Sequence, residues 1–329
     1  MATFEPFTDE QARALINLEQ RYAVWMEAEQ TLFALPYDLR RKHVGGRSYL
    51  YEIRDRSGNG ISLGAWSAEN QRTFETYRET KSAAKERRDT SRELLTESGR
   101  LARALRLPQI ASPAGEILRE ADRRRLLGSS LLVVGTTAMG AYAVEAGGFI
   151  RDAPDETQDF DIAWSAQEAG ADARSVWDML KAVDPTFTVN TERTFQARNA
   201  KAYEVELLVA PSRAATMVRN DKPWPVPLRE QEWLLPGQRV DRVVPCRDGS
   251  SARIVAPDPR WFALQKLWMA AQAKRNALKR RKDMAQGRAL LDAVRIAMPQ
   301  FPLDAAFEAS LPAELAPIFS GWKATSQVG

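Results

Sequence analysis

The sequence predicts an α/β (α+β) fold with a strand-bearing core over residues 126–256. An N-terminal helical region with a β-hairpin precedes it over residues 1–125, and a C-terminal helical module follows over residues 257–329. Three observations predict this arrangement. An apolar run at 131–134 leads through Gly135-Thr136-Thr137 into a helix-like segment at 138–146 that stops at Gly147-Gly148. Two later stretches, Asp159-Phe160-Asp161-Ile162 and residues 202–209, alternate polar with apolar side chains, the period of a strand covered on one face. Helical periodicity dominates the segments on either side.

In chain order, residues 9–34 carry Leu15, Leu18, Tyr22, Trp25 and Leu32 at helical spacing, and Pro36 closes that helix. Residues 48–54 and 61–64 flank a turn at 55–60 and form a β-hairpin. One version of it is basic and aromatic and touches nucleic acid through Lys42, Arg47, Tyr49, Tyr51 and Arg54. The plainer and preferred version is a small sheet whose aromatics pack on helices. Residues 66–106 are a long charged helix. Its cluster Lys81, Lys85, Arg87, Arg88 and Arg92 either faces phosphates or, as is commoner, forms a solvated face with ion pairs. Pro108 and Pro113 mark a linker, and 116–127 is a short Arg-rich helix entering the core.

Beyond the Asp-x-Asp strand, 172–183 is an amphipathic helix, followed by short strands at 187–190 and 194–198. In the strand at 202–209, Tyr203, Val205, Leu207 and Val209 share one face, and Glu204, Glu206 and Leu208 the other. A loop rich in Pro and Trp at 223–236 separates this from strand-like pieces at 242–245 and 252–256. Helices follow at 261–275 and 279–296, with a further short one at 311–322.

Composition narrows the chemistry. The 329 residues suffice for one main core with smaller helical modules, and 44% hydrophobic content is that of a globular chain. A net charge of +4 with 47 Lys and Arg permits a polyanionic partner without demanding one. The single cysteine, Cys246, excludes an intramolecular disulfide and fits a reducing compartment. The single histidine, His43, excludes a His-rich metal cluster. The polar, acidic N-terminus resembles no targeting segment, and the apolar stretch at 126–150 is interrupted by Gly, Ser, Thr and Glu145. A buried strand and helix explain that stretch better than a membrane span, so the expectation is a cytoplasmic protein with no membrane association.

Asp159 and Asp161 occupy one strand face, where two carboxylates repel each other unless a cation lies between them. Magnesium suits them, because it takes a few carboxylate oxygens and completes its shell with water and phosphate oxygens. A small residue in the Gly135-Thr136 turn lets backbone amides and a hydroxyl approach phosphates at a helix N-terminus. A third carboxylate on a neighbouring strand completes a two-ion site for in-line displacement at phosphorus. Glu206 is the preferred third acid, with Glu204 on the same face as the alternative.

These residues carry a resemblance. Val134-Gly135-Thr136-Thr137-Ala138, Thr157-Gln158-Asp159-Phe160-Asp161 and Val205-Glu206-Leu207-Leu208 resemble a bacterial nucleotidyltransferase-fold family of the DNA polymerase β-like superfamily. Lys266-Leu267 and Lys282-Asp283-x-x-Gln286 are similar to its downstream elements, so the likeness spans roughly residues 126–296. The resemblance implies a polymerase β-like core with a mixed sheet and transfer of a nucleoside monophosphate from an NTP, with two Mg²⁺ ions. It makes Asp159, Asp161 and Glu206 the catalytic and metal-binding acids, and Gly135 and Thr136 the phosphate site. Lys266 and Lys282 are candidates for triphosphate contacts by charge and position, with plain surface solvation as the alternative. The acceptor is left open between RNA or tRNA ends, a protein side chain and a small molecule, as is the oligomeric state. The rival class is a nucleic-acid-binding or regulatory protein that retains the fold for binding alone.

Overall fold

The structure, a computed structural model, describes residues 4–154, 159–168, 175–218 and 220–326. Thr157 and Gln158 of the expected motif, and the start of the helix expected from Asp172, lie outside the described residues. The chain forms two compact units, Gln20–Glu97 and Met1–Glu19 with Ser98–Gly329.

The chain opens with strand β1 (Phe4–Pro6) and helix α1 (Asp9–Ala34), whose later turns belong to the smaller unit. Thr8 and Gln11 form a reciprocal capping box, each side chain accepting from the other's backbone N–H at 3.3 and 3.0 Å. That cap explains why the helix begins where the sequence expects it. In the smaller unit, β2 (Asp38–Val44), β3 (Arg47–Ile53) and β4 (Gly60–Ala65) form an antiparallel sheet in that order, and α2 (Ala68–Ala104) follows. The expected two-stranded hairpin is therefore three-stranded. Gly45 and Gly46, with φ of 56° and 77°, supply a tight turn into β3. β2 escaped detection because Arg40-Arg41-Lys42-His43 shows no polar/apolar alternation.

Leu39 and Leu50 are buried with Tyr77, against Leu35, Trp66 and Phe74. Tyr49 and Tyr51, expected to pack on helices, take no part in that cluster. Much of the basic cluster on α2 is used internally. Lys81 donates to the Tyr37 carbonyl at 2.6 Å, Arg87 pairs with Glu27 at 2.6 Å, and Arg88 pairs with Asp89 at 2.8 Å.

The larger unit continues with α3 (Ser112–Arg123), β5 (Leu131–Val133), α4 (Ala138–Ala146), β6 (Gly148–Ile150) and β7 (Asp159–Trp164). Then come α5 (Val176–Val183), β8 (Thr188–Val189), β9 (Gln196–Arg198) and β10 (Glu204–Val209), and after two 3₁₀ turns β11 (Val240–Pro245) and β12 (Ser251–Ala256). Helices α6 (Pro259–Ala271), α7 (Ala277–Ala297), α8 (Ala305–Ala309) and α9 (Ala316–Ser326) complete it. The helix expected at 311–322 is thus replaced by α8 and α9, with Pro312 between them. β1 and β6 pair with each other, and three-residue strands are too short to show a period.

The central sheet is mixed, in the order β5-β7-β10-β9-β8. β7 and β10 run parallel, and the other neighbours are antiparallel. Phe160, Ile162, Val205, Leu207 and Val209 bury one alternating set of side chains completely or nearly so. Burial of such side chains contributes roughly 1.5–3 kcal/mol each before entropy is counted, which pins the register. The opposite set at the strand starts is left for acids. Among the described residues, no helix is long and apolar enough to cross a membrane. The apolar stretch at 126–150 is a buried strand and a buried helix, as expected.

Candidate active site

The parallel register of β7 and β10 sets Asp159 beside Glu204 and Asp161 beside Glu206. Four carboxylates therefore line one face at the start of two neighbouring strands, which lie about 4.8 Å apart. The turn after β5 lies directly against them. Gly135 has φ +66°, and a Cβ there would meet Asp161 Oδ2 at 2.0 Å. Only glycine satisfies both the left-handed backbone and that contact. The Val134 N–H donates to the Asp161 carbonyl at 3.1 Å, so turn and acid are also joined through the backbone.

The acids share an electrostatic burden. Asp161 retains some exposed surface, yet packing around its carboxyl raises its pKa, and the neighbouring Asp159 raises it further. Glu206 is pushed up to about 7, first by desolvation and then by Asp161. Burial first, then the charges of Asp159 and Asp161, raise the pKa of the Tyr203 hydroxyl. Tyr203 stands just before β10 begins, where strand alternation does not yet govern.

Compensation comes from two sides. Gln196, buried and opposite Glu206 on β9, donates through Nε2 to Glu204 Oε2 at 2.8 Å and Glu206 Oε1 at 3.2 Å. Asn190 donates to the Gln196 Oε1 at 2.7 Å and so fixes the orientation of that amide. Glu204 is also paired with Arg198. From the other side, the first turn of α7 brings Lys279 Nζ to 3.4 Å from Asp159 Oδ2. Lys282, three residues on and therefore on the same helix face, has its pKa lowered by burial and then by Lys266. Gln286, a turn further, donates to the Thr136 hydroxyl at 3.4 Å and the Pro154 carbonyl at 2.5 Å.

Lys266 is placed differently from a surface lysine. It is buried, and its Nζ lies 3.0 Å from the fully buried Asp283, which Arg275 also contacts at 2.9 Å. Its charge still reaches Asp161, lowering that carboxyl's pKa together with Lys279 and Lys282. Residue patterning missed Lys279, Gln196 and the Gln286 contact. For Lys279 a signal existed, since it precedes Lys282 by one helical turn. For Gln196 none did, because its role depends on strand register.

Among the described residues, no three His, Cys, Asp or Glu side chains converge closely enough to hold a metal ion as they stand. Asp159 and Glu204 are instead drawn toward Lys279 and Arg198. The donor set nonetheless suits magnesium. It is made of carboxylate oxygens on adjacent strands, two of them held ionised only at a cost, with no sulfur or imidazole among them.

On the other side of the turn, Thr136 and Thr137 form part of the wall of a cavity of about 580 Å³. Arg103, Arg106, Arg151 and Arg247 line it, over an apolar floor that includes Met139 and Phe149. Arg151 is held by Glu5 at 2.5 Å. Guanidinium groups beside a helix N-terminus suit an anionic ligand.

Residues 112–312 match a family model described as nucleotidyltransferase. No curated protein and no solved structure matches the chain.

Proposed function

The chain belongs to the nucleotidyltransferase family, and from that premise we propose that it moves a nucleoside monophosphate from an NTP to an acceptor hydroxyl, releasing pyrophosphate, with Mg²⁺. The observation that carries this reading is the parallel register, which sets Asp159 and Asp161 beside Glu204 and Glu206 with Gly135 against Asp161. Asp159, Asp161 and Glu206 would hold the metal. When bound there, magnesium supplies charge stabilisation for the entering and leaving oxygens.

The chain's own groups do the rest. Thr136 and the backbone at the start of α4 receive phosphate oxygens, favoured by the helix dipole. Lys279 and Lys282 project from α7 and neutralise the triphosphate, whereas Lys266 is held behind them by the buried Asp283 and acts on the site only through its longer-range charge. Glu206 is preferred to Glu204 as the third acid, because Glu204 is occupied by Arg198 while Glu206 stands opposite Asp161. Glu206, opposite Asp161, is also placed to assist removal of the proton from the attacking hydroxyl. The arginine-lined cavity beside Thr136 supports an anionic substrate group at that end of the site.

The test is incubation of the full chain with each α-labelled NTP and Mg²⁺, together with total RNA and cell lysate. Label entering RNA, protein or a small molecule with the wild type, and not with Asp159→Ala/Asp161→Ala, is the expected result. An equal yield from that double variant would sink the assignment.

A further inference from the structure

The smaller unit carries a surface that contains none of the residues assigned to nucleotide transfer. The register between β2 and β3 pairs Arg40 with Tyr51, Lys42 with Tyr49 and Val44 with Arg47. Cross-strand partners share a face and alternate residues repeat it, so Arg40, Lys42, Arg47, Tyr49 and Tyr51 all lie on one side of the sheet. Leu39 and Leu50 lie on the other, packed with Trp66, Phe74 and Tyr77, and Arg41 stacks there over Trp66 at 4.6 Å. Apart from Ile53, buried at the Asp38 end of the first face, the buried residues of β2 and β3 lie on that second face. Tyr49 and Tyr51 on the first face are partly buried and lie among basic residues.

We propose that this face of the β2-β3-β4 sheet is a binding platform for single-stranded nucleic acid. Three features converge. Tyr49 and Tyr51 are two residues apart on a strand, about 7 Å, a spacing at which two rings each take one unstacked base. Arg40, Lys42 and Arg47 surround them with positive charge for the phosphates, and Lys42 Nζ already lies 4.8 Å from the centre of the Tyr51 ring. Charge complementarity is preserved by the placement of the acids. Asp38 sits at the far end of the face, paired with Arg40 at 2.8 Å and facing Lys81 at 4.0 Å. Glu52 lies on the opposite side, across from Leu39. β4 contributes no charged residue at all. Between residues 38 and 56 the chain carries six Lys or Arg against three acids.

Duplexes fit this surface poorly, because their bases are stacked inside and unavailable to the rings. The platform contains none of the catalytic acids, so binding and transfer can be tested with separate variants.

The experiment measures anisotropy of fluorescent 12-residue oligouridylate, the matching deoxy-oligonucleotide and a duplex RNA hairpin, titrated with the full chain at several salt concentrations. Expected is binding to at least one single strand, and weaker binding to the hairpin. The expected logarithmic salt slope is about −2, from three phosphate contacts. Tyr49→Ala/Tyr51→Ala should weaken binding about fivefold or more per ring, while Tyr49→Phe/Tyr51→Phe should restore it. Lys42→Ala/Arg47→Ala, at positions remote from the packed cluster, should lower the affinity and flatten the salt slope. Asp159→Ala/Asp161→Ala should bind as the wild type does, which separates this site from the catalytic one. Preference for the ribose or deoxyribose strand identifies which polymer is read. Absence of binding to both strands at low salt overturns the proposal. So does hairpin binding of equal strength, or retained affinity in a folded Tyr49→Ala/Tyr51→Ala protein.

Discussion

At the residue scale the site turns on a contact between a glycine and an acid. Gly135 leaves room for Asp161 Oδ2, and its left-handed backbone disfavours any side chain. Gly135→Ala should therefore move the Asp161 carboxyl and lose stability on the order of 1–2 kcal/mol from backbone strain alone. Chemical denaturation together with the transfer assay checks both effects, and an alanine variant of full activity would contradict them. Asp161→Asn keeps shape and removes charge. Its fold should survive, with transfer falling about 100-fold or more, the range at which even outer-shell partners of a metal act. The importance of Asp161 was legible from Asp-Phe-Asp-Ile, since period two puts both acids on one face. The obligatory nature of Gly135 was not, because the clash lies between residues 26 positions apart in sequence.

At the element scale α7 serves two neighbours. Lys279, Lys282 and Gln286 occupy the face toward the acids and the Thr136 turn, while Asp283 on another face ties α7 to Lys266 of α6 and to Arg275. Gly287 allows the two helices to approach closely, as an added Cβ would meet the Ala263 carbonyl at 2.8 Å. Removing Asp283 strands two cations, one of them buried. Asp283→Ala should destabilise the chain by about 3–5 kcal/mol, read from the urea midpoint. Lys279→Ala, on an exposed side chain, should leave that midpoint nearly unchanged and raise KM for the NTP. A reversed pattern would exchange their structural and substrate-facing roles. The helix itself was legible in the sequence from 279–296, whereas the division of labour among its faces needed α6 and the sheet in place.

At the scale of the whole molecule, stability and metal binding are linked through Glu206. Its folded pKa of about 7 exceeds the ordinary carboxylate value of 4.5, so the native state holds a proton that the unfolded chain has released. For a raised acid the sign is clear: metal-free stability falls as pH climbs from about 4.5 to 7 and levels off above. The Tm of metal-free protein should accordingly drop between pH 5 and 8 by this group's share. Glu206→Gln should remove that share, stabilising the protein at pH 8 while abolishing transfer. Mg²⁺ should raise the wild-type Tm more at pH 8 than at pH 5, since ligands must be deprotonated to bind. Calorimetry at the two pH values, with and without Mg²⁺, gives the answer. A glutamine variant no more stable than wild type at pH 8 would remove Glu206 from the strained set.

By itself the sequence determined the strand–Gly-Thr–helix turn, the acid-bearing strands, the long helices and their order. Each of these is written in local periodicity or turn chemistry, which neighbouring residues impose on one another directly. Tertiary structure alone decided the rest. It paired Glu206 with Asp161, delivered Lys279 to Asp159, and set Gln196 between the two glutamates. It also added β2, a third strand that a run of basic residues concealed, and so set Arg40 beside Tyr51 and Lys42 beside Tyr49. Strand pairing and helix docking join residues far apart in the chain. Their choice depends on which apolar faces can be buried together, and no local pattern encodes that.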